Sequence, residues 1–269
     1  MVIQHNIAAN NAYRNLSANA SNGQKNLEKL SSGYRINRSA DDAAGLAISE
    51  QMRSKINGLD QATSNANDAI GLIQTAEGAL TETHSMLQRM VTLATQSANG
   101  TYNATARTAI GEEVTALKAE LNRIASTTDY NGVKPLNQTV SITVQIGPTA
   151  GEKLEIASAK MGSTALNVNG VDVSTVSKAN SAITNINTAI NKVSTHRAKL
   201  GASQNRLEHT INNLKTTNEN MTAAESRIRD TDMAKEMSAF TKNNILVQAS
   251  QAMLAQANQT PQGILQLLR

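Results

Sequence analysis

The chain has very few aromatic side chains and no cysteine. Among its 269 residues there is no Cys and no Trp, one Phe (Phe240) and four Tyr. The lack of Cys excludes disulfides, zinc–thiolate sites and thiol catalysis. Because large rings are scarce, the interior has to be built from aliphatic side chains, which suits narrow seams between helices better than a broad globular core.

Proline is also scarce, and long apolar runs are absent. Only Pro135, Pro148 and Pro261 occur, which favours long unbroken helices. No apolar run reaches the roughly 20 residues that a membrane span needs, so we expect no membrane partner. The first seven residues lack a basic segment followed by an apolar one, so we expect no cleaved signal peptide.

The charges and histidines do not form a recognisable binding or catalytic pattern. The net charge is +4, but Lys and Arg are scattered among acidic residues, which argues against nucleic acid as a partner. The four His have no metal-ligand spacing, and phosphate loops, nucleophile elbows and paired acids in a loop are missing. We therefore expect no enzyme, no cofactor and no metal. His84 is expected on a helix seam, and the other three His on the surface.

Three long segments repeat apolar residues at alternating spacings of three and four, as helices packed along a seam do. The first runs from about residue 4 to 30, the second from about 41 to 98, and another from about 179 to 228. The predicted seam residues of the first segment are Tyr13, Leu16, Ala20, Gly23, Leu27, Leu30 and Tyr34. Those of the second are Met52, Ile56, Leu59, Thr63, Ala66, Ile70, Ile73, Glu77, Leu80, His84, Leu87, Val91 and Ala94. Those of the last are Ala179, Ile183, Ile186, Ile190, Val193, Arg197, Leu200, Gln204, Leu207, Ile211, Leu214, Asn218, Met221, Glu225 and Ile228.

Packing of the two longest seams against each other predicts the fold class. It is mainly α, an elongated antiparallel helical bundle or coiled coil formed by both chain halves. The polar seam residues would fix the register. A further helix is expected at 104–127, and alternating residues around Gly147-Pro148 predict one small β-hairpin near 139–157. A last helix is expected to start after Asp230-Thr231-Asp232 and to end before Pro261.

Both chain ends carry more large apolar side chains than a monomer would expose to water. We therefore expect these ends to contact further copies of the chain. The predicted self-assembly residues are Ile3, Ile7, Tyr13, Leu16, Leu27, Leu30, Phe240, Ile245, Val247, Leu254, Ile264, Leu265, Leu267 and Leu268.

Several motifs occur at both ends in an order that resembles bacterial flagellins. At the first end these are Leu30–Asn37 (LSSGYRIN) and Ser39–Ile48 (SADDAAGLAI). At the other they are Glu225–Asp232 (ESRIRDTD), Ala255–Gln259 (AQANQ) and the closing Leu-Leu-Arg. The likeness covers roughly the first 130 and the last 90 residues.

The resemblance implies a homopolymeric, extracellular filament subunit used for motility. It implies an inner domain of residues 1–42 with 230–269 and an outer helical rod of residues 43–229, without large variable outer domains. It also implies type III export, a flagellar export chaperone, and contacts with hook-associated and cap proteins. Alternatives from other classes are a hook–filament junction protein, another exported coiled-coil filament protein or adhesin, and a filament-borne hydrolase, which would lack a catalytic constellation.

Many flagellins are recognised by Toll-like receptor 5, and the resemblance places the matching residues on two helices. They are Gln88, Arg89, Leu93 and Glu113. Thr92 departs from the acidic residue common at its position in receptor agonists. Leu93 lies off the predicted seam, so it is either an exposed anchor or an extension of the apolar helix face.

Overall fold

The structure is a computed structural model that describes residues 6–267, with side chains described for residues 6–260. Its elements are α1 (Ile7–Ser32), α2 (Ala43–Ala98), α3 (Ala104–Thr127), β1 (Ile142–Gln145), β2 (Lys153–Ile156), α4 (Val176–Arg229) and α5 (Met233–Leu267). The mainly helical fold with one small hairpin is confirmed. The chain forms two compact units: unit 1 holds residues up to 56 and from 219 onward, and unit 2 holds residues 57–218.

Local chemistry explains where the helices begin and end. Helix α1 stops at Gly33, which adopts a left-handed φ of 76° and donates its N–H to the Lys29 carbonyl at 2.9 Å. Helix α2 begins after Asp42, whose carboxylate accepts the Gly45 N–H at 2.9 Å. Asn103 caps α3 in the same way through the Ala106 N–H at 2.8 Å. These boundaries agree with the sequence expectations.

Unit 2 has a single aliphatic core to which α2, α3, α4, β2 and the segment before α4 all contribute. The hairpin pairs Ile142 with Ile156 and Val144 with Leu154, and both β2 residues of these pairs are buried. Two polar contacts define the direction of α2 and α4 in this unit. Arg197 bonds Glu77 at 3.3 Å and Asn218 bonds Asp60 at 2.7 Å, so the two helices run antiparallel.

The predicted seam of unit 2 consists of two rows, each with residues seven apart, and one of the two rows differs from the prediction. The row that contains Leu59, Leu80 and Leu87 on α2 is buried as expected. The second buried row lies one residue before the predicted row and consists of Ala62, Ala69, Ala76, Thr83 and Met90 on α2, and Ala182, Ala189, His196 and Ser203 on α4. The predicted residues form a flank row that is half-buried, and it consists of Thr63, Ile70, Glu77, His84 and Val91 on α2, and Ile183, Ile190, Arg197 and Gln204 on α4.

Side-chain size gives the physical reason for this correction. Ala and Ser in the second row let the helix backbones approach closely, and the bulky Ile and Val of the flank row then cover the edges of the seam. The expectation that His196 lies on the surface was wrong. This residue belongs to the second buried row, and it is only 6% exposed.

In unit 1, α1 pairs with α5, and α1 has no fully buried residue. Here too the predicted second row is displaced by one position. The half-buried side chains are Ala12, Asn19 and Asn26, whereas Tyr13, Ala20 and Leu27 are exposed. The facing residues of α5 are half-buried, and they are Glu236, Phe240, Asn243, Val247, Ser250, Leu254 and Ala257.

Helix α5 continues past Pro261, contrary to expectation. Proline has no N–H to donate to the carbonyl four residues earlier, which is that of Ala257. Two other donors reach this carbonyl, the Asn6 amide at 2.7 Å and the Thr260 hydroxyl at 2.9 Å. The backbone oxygen is therefore satisfied, and the helix continues. Among the described helices, none is long and apolar enough to cross a bilayer.

Candidate functional site

The predicted self-assembly residues fall into two groups in unit 1. Five of them are half-buried along the α1–α5 pair, and they are Leu16, Leu30, Phe240, Val247 and Leu254. Four are exposed: Ile7 (69%), Tyr13 (63%), Leu27 (54%) and Ile245 (60%). Ile3 and Leu268 lie outside the described residues, as do the side chains of Ile264, Leu265 and Leu267.

Further exposed apolar side chains of unit 1 were not found from the sequence. They are Ile48, Met233, Met237, Leu246 and Met253. Their common feature is that they lie off the α1–α5 seam, on helices whose seam positions are already filled. The excess of Met near the start of α5 was the available signal, because unbranched flexible side chains suit contact surfaces.

The seam between α1 and α5 is itself partly polar. The Asn19 amide donates to the Ser250 hydroxyl at 3.3 Å. With its amide turned so that nitrogen and oxygen exchange places, Asn26 donates to Glu236 and accepts from the Asn243 amide, both at 2.9 Å. Polar layers of this kind fix the register of a helix pair and lower its stability. Unit 1 thus has polar groups between its helices and large apolar groups on the outside.

Tyr34 connects the two chain ends where α1 and α4 finish. Its backbone forms an antiparallel bridge with Asp230, and its ring lies 4.7 Å from the Arg229 guanidinium and 5.9 Å from that of Arg53. Arg53 also pairs with Glu225 at 3.4 Å. These contacts hold the ends of the chain side by side before α5 begins.

The residues that the resemblance assigns to receptor binding are only partly on the surface of unit 2. Arg89 on α2 and Glu113 on α3 form an ion pair at 2.8 Å, and Gln88 is exposed beside them. Leu93 is only 2% exposed and belongs to the core. Of the two roles that the sequence left open for Leu93, its position fits the extension of the apolar helix face.

Comparisons with known proteins agree with the motifs at both ends. The bacterial flagellin N-terminal helical region matches residues 3–141, and the bacterial flagellin C-terminal helical region matches residues 183–268. The chain is 54% identical over 272 residues to flagellin of Halalkalibacterium halodurans and 52% identical over 305 residues to flagellin of Bacillus subtilis. Both alignments cover all of each chain.

A solved structure is also similar. The crystal structure of Bacillus cereus flagellin is 34% identical, with a TM-score of 0.51, over 60% of this chain and 94% of that one. Full-length identity above one half favours a flagellin over the junction protein, adhesin or hydrolase that the sequence also raised. The chain therefore belongs to the bacterial flagellin family, and it is a structural subunit of the extracellular flagellar filament rather than an enzyme.

Proposed function

We propose that the exposed apolar side chains of unit 1 are the contacts through which copies of this flagellin pack into the filament. The observation that carries the proposal is their distribution. Of the eleven large apolar side chains that are exposed among the described residues, nine lie in unit 1, and only Val140 and Val176 lie in unit 2. Exposed apolar residues gathered in one part of a protein mark an interaction surface.

The energetics favour this use of the surface. Covering the exposed half of a Leu, Ile or Met side chain contributes on the order of 1 kcal/mol. Eight such side chains together with Tyr13 provide several kcal/mol, which is comparable with the cost of association. The polar seam within unit 1 leaves α1 and α5 less firmly paired than the helices of unit 2, so contacts with other copies would also order them.

Seeded elongation of purified monomer tests this proposal. The pair Leu27→Gln and Ile245→Gln removes exposed apolar groups from α1 and α5 while keeping good helix formers. We expect an unchanged far-ultraviolet circular dichroism spectrum and about a tenfold higher monomer concentration needed for elongation. The matched control is Val140→Gln with Val176→Gln in unit 2, which should elongate seeds like the parent chain. Equal elongation by both double variants would contradict the proposal.

We infer that the chain leaves the cell by the flagellar type III route, with a chaperone covering α5 beforehand. The exposed Met237 and Met253 on α5 support this step, because exposed Met side chains suit binding by another protein in the cytosol. Hook-associated and cap proteins would then contact the same unit 1 surface at the filament ends. In cells blocked for export, Met237→Gln with Met253→Gln should reduce co-purification of the chaperone, and Val140→Gln should not. An unchanged chaperone yield would oppose this assignment.

Recognition by Toll-like receptor 5 is a second candidate function. It is supported by the ion pair that brings Arg89 and Glu113 together beside Gln88. Since Leu93 is buried, binding would depend on these charged groups. In receptor reporter cells, Arg89→Ala should weaken the response about tenfold. Arg123→Ala, which breaks the exposed Arg123–Glu120 pair of α3, is the matched control and should have no effect. Equal responses to both variants would exclude this patch.

A further inference from the structure

A cavity of about 480 Å³ lies in unit 2 between α4 and the segment of residues 159–166. Met161 and Leu166 give it an apolar wall. Lys160, Lys192 and Lys199 also line it, and its lining includes no carboxylate. Its size is within the range of small-ligand sites, which combine apolar walls with a few placed polar groups.

The three lysines of the cavity are exposed to solvent. Among the described residues, none of the three lysines takes part in an ion pair. Lys192 donates to the Ala165 carbonyl at 3.3 Å, which places its ammonium at the edge of the cavity. Lys192 and Lys199 are seven residues apart on α4 and therefore lie on the same helix face. An anion placed among like charges would relieve their mutual repulsion.

His196 is the buried polar group of this cavity. It lines the cavity although the residue is only 6% exposed, and within residues 6–260 its ring makes no hydrogen bond. Burial, with a smaller effect from Lys199, lowers the pKa of His196 and keeps the imidazole neutral at neutral pH. A neutral imidazole has one donor and one acceptor nitrogen. Neither ring nitrogen is among the enclosed atoms that lack a partner within residues 6–260, so both reach the solvent of the cavity, where a ligand could bond them.

We propose that this cavity binds a small organic phosphate. The phosphate lies among Lys160, Lys192 and Lys199 and accepts a hydrogen bond from His196. The apolar body of the ligand packs against Met161 and Leu166. A dianionic phosphate matches several ammonium groups better than a monoanion does, and the apolar wall favours an organic ester over the free ion.

The test uses the full-length monomer, with phenyl phosphate as the probe. The chain has only four His, so the imidazole carbon-bound protons can be followed individually by NMR, and His196→Gln assigns the signal of His196. We expect phenyl phosphate to shift this signal saturably and leave that of His209 unmoved. Inorganic phosphate should bind about tenfold more weakly, because it has no apolar body.

Paired lysine variants provide the second measurement. Lys192→Ala with Lys199→Ala should weaken phenyl phosphate binding about tenfold or more. Lys215→Ala with Lys178→Ala removes the same charge from α4 outside the cavity and should leave the affinity unchanged. The proposal is overturned if phenyl phosphate does not shift the His196 signal. It is equally overturned if inorganic phosphate binds as tightly, or if both double variants weaken binding to the same extent.

Discussion

Unit 1 and unit 2 use the same helical repeat but bury very different amounts of it. In unit 2, the rows that contain Leu80 and Leu87 on α2 and Leu200 on α4 are fully enclosed. In unit 1, Ile36 is the only large apolar side chain that is fully buried within the described residues. The comparison indicates that unit 2 has its own apolar core, whereas unit 1 would complete its packing only through the proposed contacts with other copies.

The flank row shows this difference most directly. In unit 2, the flank residues Ile70 and Ile183 are half-buried against the core. In unit 1, the corresponding residues Tyr13 and Leu27 are 63% and 54% exposed. The same position in the repeat is therefore half-buried against the core in unit 2 and exposed in unit 1, where we propose that it contacts other copies.

The largest expected effect is a loss of stability in unit 2. Leu87→Ala removes a fully buried side chain from the core and should lower the free energy of unfolding by about 3–5 kcal/mol. Leu27→Ala makes the same chemical change at an exposed position and should cost less than about 0.5 kcal/mol in the monomer. Urea titration followed by circular dichroism measures both. Similar losses for the two variants would mean that the units are equally well packed.

A smaller effect is expected at the one buried apolar position of unit 1. Ile36→Ala should cost about 2 kcal/mol, the low end for a buried Ile, because Ile36 lies outside the apolar core cluster of unit 2. The loss should be local to unit 1. Hydrogen exchange read by mass spectrometry should show faster exchange in peptides from α1 and α5 and unchanged protection in peptides from α3. Faster exchange throughout the chain would show that the units unfold together.

Replacing a polar layer should make unit 1 resemble unit 2. Asn19→Leu puts an apolar side chain on the α1–α5 seam and should stabilise the pair by about 1 kcal/mol, since a polar seam residue lowers helix-pair stability. Slower hydrogen exchange in α1 is the measurement. Ser21→Leu, on the exposed side of the same helix, is the control and should change exchange little. If both variants slow exchange equally, helix propensity rather than the seam explains the result.

Helix ends and element types could be predicted because they depend on local chemistry. Gly33, Asp42 and Asn103 stop or start their helices through bonds to backbone groups three or four residues away. Such bonds need only the neighbouring sequence. The hairpin was predictable for the same reason, because its two strands are short and close in sequence.

Choices that depend on distant residues were not predictable from one sequence. The repeat predicts the second seam row on bulky residues such as Ile183, whereas the buried row contains small ones such as Ala182. Only the partner helix determines which of two adjacent rows faces it. The Ala257 carbonyl, to which Pro261 cannot donate, accepts a hydrogen bond from Asn6, which is 251 residues away in the sequence.

The smallest expected effect concerns the loop that leads into α4 in unit 2. Lys178 donates to the Asp172 carboxylate at 2.7 Å and the Ser174 N–H donates at 2.8 Å. These bonds, with that of Lys178 the largest cause, lower the pKa of Asp172 to about 2. A lowered carboxylate pKa adds stability that is complete above the unfolded pKa of about 4 and is lost as the pH falls toward 2. The stability of the parent chain relative to Asp172→Asn should therefore shrink over that interval.

The expected difference at neutral pH is below about 1 kcal/mol, because the pair is half exposed and screened by water. Urea titrations of both chains at several pH values measure it. Asp68→Asn, which changes an exposed carboxylate on α2, is the control. If the stability of Asp172→Asn differs from that of the parent by the same amount at every pH, the charge of the Asp172 carboxylate does not stabilise the start of α4. The stability of unit 2 would then depend on its apolar core alone. The two units would differ only in how much apolar surface they bury.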